Sequence, residues 1–162
     1  KSADHPGAMY IRLGRGRDPV VYDEVPDLEI GKAIRLREGS DITLIATGSQ
    51  VRATLDAADA MAQDGISVRV VDMHTISPLD RTEVEAAARE TRAIMTVEEH
   101  NMTGGLGSAV ADVLVDLPRL PFKKHGVPDR FVEVGPPAAL YNAYKLDAPG
   151  VEEVARAFLK GI

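Results

Sequence analysis

Three ionisable side chains follow one another near the middle of the chain, directly after an apolar run at residues 93–97. They are Glu98, Glu99 and His100. A carboxylate and an imidazole can exchange a proton near neutral pH, so Glu99 and His100 are candidates for an acid–base cluster. His74 follows another apolar run and is the third candidate. The alternative is that these groups cap or pair within their own loops.

A glycine-rich turn comes next, and a helical apolar period begins at Leu106. Free N–H groups at a helix N-terminus favour an anion, which makes this turn a candidate anion site. Its candidate residues are Gly104, Gly105, Gly107 and Ser108. The alternative is structural: the glycines allow a tight turn with close helix packing, and Ser108 caps the helix.

Arginines gather near the N-terminus, where Arg12, Arg15 and Arg17 stand at and after an apolar run at residues 8–13. Guanidinium groups beside glycines suit a phosphate or a carboxylate. An exposed basic turn that pairs with Asp18 or Asp23 explains the same pattern equally well.

Composition excludes several classes of function. The chain of 162 residues has no cysteine and a net charge of −6, which argues against disulfides, cysteine-based metal sites and nucleic-acid or anionic-membrane binding. No two of the four histidines stand at the sequence spacing typical of metal ligands. The sequence also contains neither a nucleophile elbow nor a Walker A loop. We expect a soluble, cytoplasmic protein that binds no metal. Because the sequence starts at Lys1, we expect a piece of a longer chain.

The candidate residues are positioned by three strand–helix repeats. Strands are predicted at residues 42–46, 68–72 and 93–97, each followed by a helical pattern. Ser49 is predicted to cap the first helix and Asp80 to lead into the second. Such repeats require parallel strands with helices on both faces, so we predict a three-layer α/β/α domain from about Lys32 onwards.

The flanking regions give weaker patterns. Residues 8–13 are predicted as a strand, residues 20–22 as a short strand within a linker, and residues 33–37 as a half-exposed edge strand. Residues 122–127 are a poor strand, with residues 130–134 as a continuation. A short helix at residues 138–144 and a final helix beginning near Asp147 complete the prediction.

Several of these stretches, in this order, resemble the C-terminal part of transketolase. They are YIRLGR at residues 10–15, ITLIATG at 42–48, VVDMHTISPLD at 70–80, TVEEHNMTGGLG at 96–107 and GPPAAL from Gly135. The resemblance implies a mostly parallel sheet with one antiparallel edge strand, a role that fits residues 33–37. It divides the chain into the tail of a preceding pyrimidine-binding domain (1–18), a linker (19–31) and the transketolase C-terminal domain (32–162).

The resemblance also implies an activity that this chain shares with other parts of the enzyme. Transketolases of the pentose phosphate pathway transfer a two-carbon ketol unit between sugar phosphates, with thiamine diphosphate and Mg²⁺ or Ca²⁺ held by earlier parts of the chain. The segment itself would bind neither cofactor, contribute no catalytic residue and be inactive alone. Arg15 matches the family's substrate-phosphate arginine.

The expected partners are a second copy in a homodimer, the N-terminal portion or subunit of the same enzyme, and a sugar phosphate. Deoxyxylulose-5-phosphate synthases and the beta chains of 2-oxo acid dehydrogenases share this domain and stay open as alternatives. A regulatory module that binds an anion or nucleotide at the glycine turn is a further alternative, as is a purely structural domain.

Overall fold

A computed structural model describes residues 1–14 and 19–162. Within them, five strands alternate with helices. The strands are β1 (Ile34–Arg37), β2 (Ile42–Ala46), β3 (Val68–Asp72), β4 (Ile94–Asn101) and β5 (Phe122–Val127). The helices are α1 (Gln50–Gln63), α2 (Arg81–Glu90), α3 (Leu106–Leu114), α4 (Pro137–Ala143) and α5 (Ala148–Lys160), with a 3₁₀ turn at Ser2–Asp4.

The strands form a single sheet in the order β1-β3-β2-β4-β5. β1 pairs with β3 in the antiparallel direction, and the other neighbours pair in parallel. The prediction of a mostly parallel sheet with one antiparallel edge strand is therefore confirmed.

Helices cover both faces of the sheet. Alternate residues of one strand point to opposite sides, so Leu44 packs in a cluster with α1 and α5 while Ile45 packs in one with α2 and α3. Because both faces are buried, β2 and β3 lie in the interior along their whole length. The predicted three-layer α/β/α arrangement is confirmed.

The predicted end of the central strand is wrong. β4 continues past Val97 to Asn101, through all three ionisable residues. The cause is β5, which pairs with β4 as far as Glu98 opposite Gly126 and, after an irregularity, Asn101 opposite Val127. The hydrogen-bonded neighbour extends the strand beyond its apolar part.

β5 itself forms where the sequence indicated only a poor strand. It is an edge strand, so polar side chains are tolerated there. Lys124 donates from Nζ to the carbonyl oxygen of Met102 (3.1 Å), which ties this edge to the glycine turn. The predicted continuation at residues 130–134 is not a strand.

Two strands predicted near the N-terminus do not form. Residues 8–13 and 20–22 belong to no sheet, because no described strand offers them a hydrogen-bonding partner. Arg15 and Arg17 lie outside the described residues. Across the described ranges, no helix is both long and apolar enough to cross a membrane.

Candidate functional site

The carboxyl edge of the sheet is the natural place for a site. β2 to β5 run parallel, so their carboxyl ends meet at one edge. β3 lies on one side of β2, and β4 lies on the other. The direction in which strands are added to the sheet therefore reverses between β2 and β4, which is the topological switch point. Open α/β sheets bind their ligands at such a point.

The side chain of Glu98 binds the N-terminus of α3 from the interior of the domain. Its side chain is fully buried. Oε2 accepts a hydrogen bond from the N–H of Leu106 (2.7 Å), and Oε1 accepts one from the N–H of Gly107 (2.8 Å). The helix dipole and these two donors together stabilise the carboxylate.

The glycines of this region make room for Glu98 and its neighbours. A Cβ atom at Gly105 would lie 1.9 Å from Glu98 Oε2, and one at Gly126 would lie 2.9 Å from Glu98 Cγ. At Gly107 a Cβ would approach the Lys124 side chain to 2.7 Å. Gly104 has φ +81°, a conformation that residues other than glycine rarely adopt.

At the predicted anion site, the N–H groups of Leu106 and Gly107 therefore already bind the side chain of Glu98. Ser108 completes the turn, since its Oγ accepts from the N–H of Gly104 (3.0 Å) and donates to the carbonyl oxygen of Met102 (3.3 Å). An external anion would have to compete with Glu98 for the N–H groups of Leu106 and Gly107. Binding of such an anion stays a prediction, and the contacts favour the structural alternative.

Ser49 and Glu99 form a hydrogen bond across the switch point. Ser49 Oγ donates to Glu99 Oε2 (2.5 Å), and Nη2 of Arg12 lies 3.7 Å from Glu99 Oε1. The prediction that Ser49 caps α1 is wrong, since its side chain makes no cap hydrogen bond. Its backbone is helical (φ −58°, ψ −20°) rather than extended as in a capping residue, and a charged carboxylate is the stronger acceptor.

A second side-chain hydrogen bond at the carboxyl edge of the sheet involves Asp72, the last residue of β3. Tyr22 donates from its hydroxyl to Asp72 Oδ2 (2.5 Å). Burial raises the pKa of the Asp72 carboxyl above its ordinary value, while the Tyr22 hydrogen bond and the charge of His74 act in the opposite direction. Burial and the bond to Asp72 raise the pKa of the Tyr22 phenol well above its ordinary range.

The candidate acid–base residues are not brought into contact. His74 follows β3, whereas Glu99 and His100 belong to β4, and β2 lies between these strands. Two strand spacings separate β3 from β4 by roughly 10 Å. His74 Nδ1 lies 2.9 Å from Thr75 Oγ1, and His100 Nδ1 lies 2.9 Å from its neighbour's carbonyl oxygen. Within the described ranges no hydrogen bond or ion pair joins the three, so acid–base chemistry stays a prediction.

Sequence reasoning missed the roles of Glu98, Asp72 and Tyr22. The signal for Glu98 was present as an acidic residue at the end of a buried strand, eight residues before the first N–H that it binds. No pattern signalled the bond between Tyr22 and Asp72, which are 50 residues apart. Among the described residues, no group of three His, Asp or Glu side chains is arranged to hold a metal ion.

Comparison with known proteins gives consistent matches. The family model "Transketolase, C-terminal domain" matches residues 31–151. A subunit of the apulose-4-phosphate transketolase of Phocaeicola vulgatus is 39% identical over 97% of this chain and 50% of its own length. A 1-deoxy-D-xylulose-5-phosphate synthase of Syntrophotalea carbinolica is also 39% identical, over 96% of this chain and 25% of its own.

Solved structures agree with these matches. A split-gene transketolase described as an inactive beta4 tetramer superposes with a TM-score of 0.87 and 42% identity, covering 93% of this chain and 50% of that one. A transketolase mutant from Pichia stipitis, 21% identical with a TM-score of 0.61, shares the fold. The chain spans 50% of the length of the apulose-4-phosphate transketolase subunit and 25% of the length of the synthase. The chain belongs to the transketolase family and contains its C-terminal domain.

Proposed function

We propose that this chain is the C-terminal part of a transketolase that transfers a two-carbon ketol unit between sugar phosphates. The observation that carries the proposal is the 42% identity and TM-score of 0.87 to a split-gene transketolase over 93% of the chain. In this proposal the complete enzyme is cytoplasmic and uses thiamine diphosphate with Mg²⁺ or Ca²⁺. The cofactors are held by the N-terminal portion of the enzyme, which this chain does not include.

The first experiment measures ketol transfer with this chain alone and then mixed with its N-terminal partner polypeptide, both with thiamine diphosphate and Mg²⁺. We expect activity only in the mixture, because the residues proposed to hold the cofactor lie on the partner. Activity of the isolated chain would contradict this division of labour, and an inactive mixture would contradict the proposed reaction.

Within that enzyme, residues 1–18 are proposed to form the tail of the preceding pyrimidine-binding domain. Arg15 is proposed to bind the phosphate of the sugar. A guanidinium group holds a phosphate through two parallel hydrogen bonds, which a lysine cannot reproduce. Residues 19–31 then serve as a linker and residues 32–162 as a scaffold that contacts a second copy.

Replacing Arg15→Ala in the complete enzyme tests the phosphate role. Loss of a charge-assisted bond costs about 2 kcal/mol, so we expect KM for a phosphorylated acceptor to rise roughly 30-fold. KM for the same aldose without phosphate should not change. Arg89→Ala is the matched control, since this arginine is 62% exposed on α2 and forms an ion pair with Glu85 of the same helix. An unchanged KM for the phosphorylated acceptor would refute the role.

A 1-deoxy-D-xylulose-5-phosphate synthase is the second candidate, favoured by an equal identity of 39%. The products distinguish the two activities, because a 1-deoxy ketose lacks one oxygen that a transferred ketol unit carries. Mass spectrometry of the product therefore decides between them. We favour the transketolase because this chain covers half of the apulose-4-phosphate transketolase subunit and the same share of the split-gene structure.

A further inference from the structure

The chain enters the domain through a loop, residues 20–33, that contacts the sheet at both of its ends. At the front end, Val21 packs against the apolar cluster on the α1 side of the sheet. Next to it, the Tyr22 hydroxyl donates to Asp72 Oδ2 (2.5 Å). At the rear end the loop leads into β1, whose first residue, Ile34, lies opposite Asp72 in the ladder. Both ends of this entry loop therefore lie beside the carboxyl end of β3.

The rear end is built into the domain. Asp80 Oδ2 accepts a hydrogen bond from the N–H of Ala33 (3.0 Å), and Asp80 Oδ1 accepts one from the N–H of Glu83 in the first turn of α2 (3.2 Å). Gly31 packs closely on the same region, since a Cβ atom there would lie 3.0 Å from Pro78 Cγ. Its φ of +84° favours glycine. The helix cap and the close packing fix this end of the loop.

The front end is held by a much smaller contact, made by the half-buried side chains of Val21 and Tyr22. On either side of them, Val20 is 75% exposed and Val25 is 96% exposed. Segments with few buried contacts open locally at a lower free energy than the core of a domain. The front end is therefore the part of the entry loop that can detach.

The hydrogen bond from Tyr22 offsets the burial of a charge. With the loop in place, Asp72 is only 6% exposed, and a buried carboxylate loses its hydration. Its Oδ1 atom has no hydrogen-bond partner among the described residues. Tyr22 supplies the partner of the other oxygen, so the closed position of the loop depends on one hydroxyl group.

We propose that the entry loop has a closed and an open position, and that the hydrogen bond between Tyr22 and Asp72 holds it closed. The loop opens about its rear end at Gly31 while the domain stays folded. Opening exposes Asp72 at the carboxyl edge of the sheet, where α/β domains bind their ligands. The same bond thus controls whether the chain that precedes the loop is held at this edge. This inference is independent of the proposed reaction.

Thiol labelling tests the closed position, because the chain has no cysteine of its own. The variant Val21→Cys places one thiol at the front end, and Val25→Cys places one in the exposed middle of the same loop. We expect a maleimide to label position 21 roughly tenfold more slowly than position 25, since a buried thiol reacts only when the loop opens. Equal rates would overturn the proposal.

The replacement Tyr22→Phe in the Val21→Cys chain tests the bond itself. It leaves a buried carboxylate without its partner, so labelling should become roughly tenfold faster. Tyr10→Phe in the same chain is the control, since Tyr10 is 89% exposed, and it should not change the rate. An unchanged rate in the Tyr22→Phe variant would also overturn the proposal.

Two further measurements separate opening of the loop from loss of stability. Amide exchange in β2, which is buried along its whole length, should be the same with and without Tyr22→Phe. Faster exchange in β2 would show general unfolding and contradict the proposal. The double replacement Tyr22→Phe/Asp72→Val removes the buried charge together with the bond, so labelling at position 21 should return to within about threefold of its original rate. A rate as high as with Tyr22→Phe alone would exclude Asp72 from this role.

Discussion

Glu98 organises the structure around the start of α3. Its carboxylate accepts two main-chain hydrogen bonds in a fully buried position, and three glycines provide the space around it and the adjacent lysine. The side chain takes the place that a bound anion takes in many α/β proteins. The turn is thus organised by a residue of the chain itself.

Replacing Glu98→Ala should lower the free energy of unfolding by about 3 kcal/mol, because each stranded buried donor costs on the order of 1–3 kcal/mol. Denaturant unfolding of the chain measures this loss. Glu85→Ala on the outer side of α2 is the control, and we expect it to change the free energy by less than about 0.5 kcal/mol. A Glu98→Ala variant as stable as the control would contradict this account.

Sequence reasoning predicted an external anion at the glycine turn and did not identify the Glu98 side chain as the acceptor of the N–H groups there. The reach of Glu98 from the strand to the helix start depends on where β4 ends, and that end is set by β5. Ser49 shows the same difficulty, since its local pattern is that of a cap while its partner is 50 residues away. Residue roles that depend on such distant partners cannot be obtained from local patterns.

At the level of elements, the interior strands and the helices were predictable because their signals are local. β2 and β3 are buried on both faces and are mostly apolar, although β3 also contains Arg69 and Asp72. Asp80 and Asp147 are the N-cap residues of α2 and α5, and each accepts a hydrogen bond from a main-chain N–H in the first turn. The strand predicted at residues 8–13 failed because a strand also requires a neighbour, which no periodicity reveals.

His125 links β5 to the turn before α5 and should make stability depend on pH. Its Nε2 donates to the carbonyl oxygen of Lys145 (2.7 Å), and burial lowers the pKa of the imidazole. The unfolded chain therefore takes up the proton first as the pH falls. We expect the free energy of unfolding to decrease as the pH drops below about 6.5, the ordinary pKa of histidine.

The pH dependence of unfolding in the variant His125→Gln checks this assignment. The glutamine amide keeps a donor for the Lys145 carbonyl but does not titrate, so the decrease attributed to His125 should disappear. His5→Gln is the control, since this histidine is exposed near the N-terminus and its replacement leaves the contact between His125 and Lys145 intact. A wild-type profile in the His125→Gln variant would refute the link.

At the scale of the whole molecule, exposed apolar residues indicate where a partner would bind. Phe131 and Val134 are fully exposed in the segment between β5 and α4. Isolated apolar residues on a surface are ordinary, but several within a few positions favour an interface. We expect this segment to contribute to the proposed association between copies.

Sedimentation of the variant Phe131→Ser/Val134→Ser tests that expectation. The oligomer should dissociate at a protein concentration at least tenfold higher than in the unmodified chain, because two apolar contacts are lost. Val115→Ser is the control, since Val115 is 79% exposed at the end of α3 and lies outside the segment. An unchanged oligomer in the double variant would exclude the segment from the interface.

The packing of Glu98 among Gly105 and Gly126 also has an evolutionary consequence. Replacing either glycine first brings a new side chain against Glu98, and replacing Glu98 first strands two N–H groups. A route that begins with a side chain at either glycine, or with a residue lacking an acceptor at position 98, therefore passes through a destabilised intermediate. Descendants of this chain should keep the carboxylate and its glycines together or lose them together.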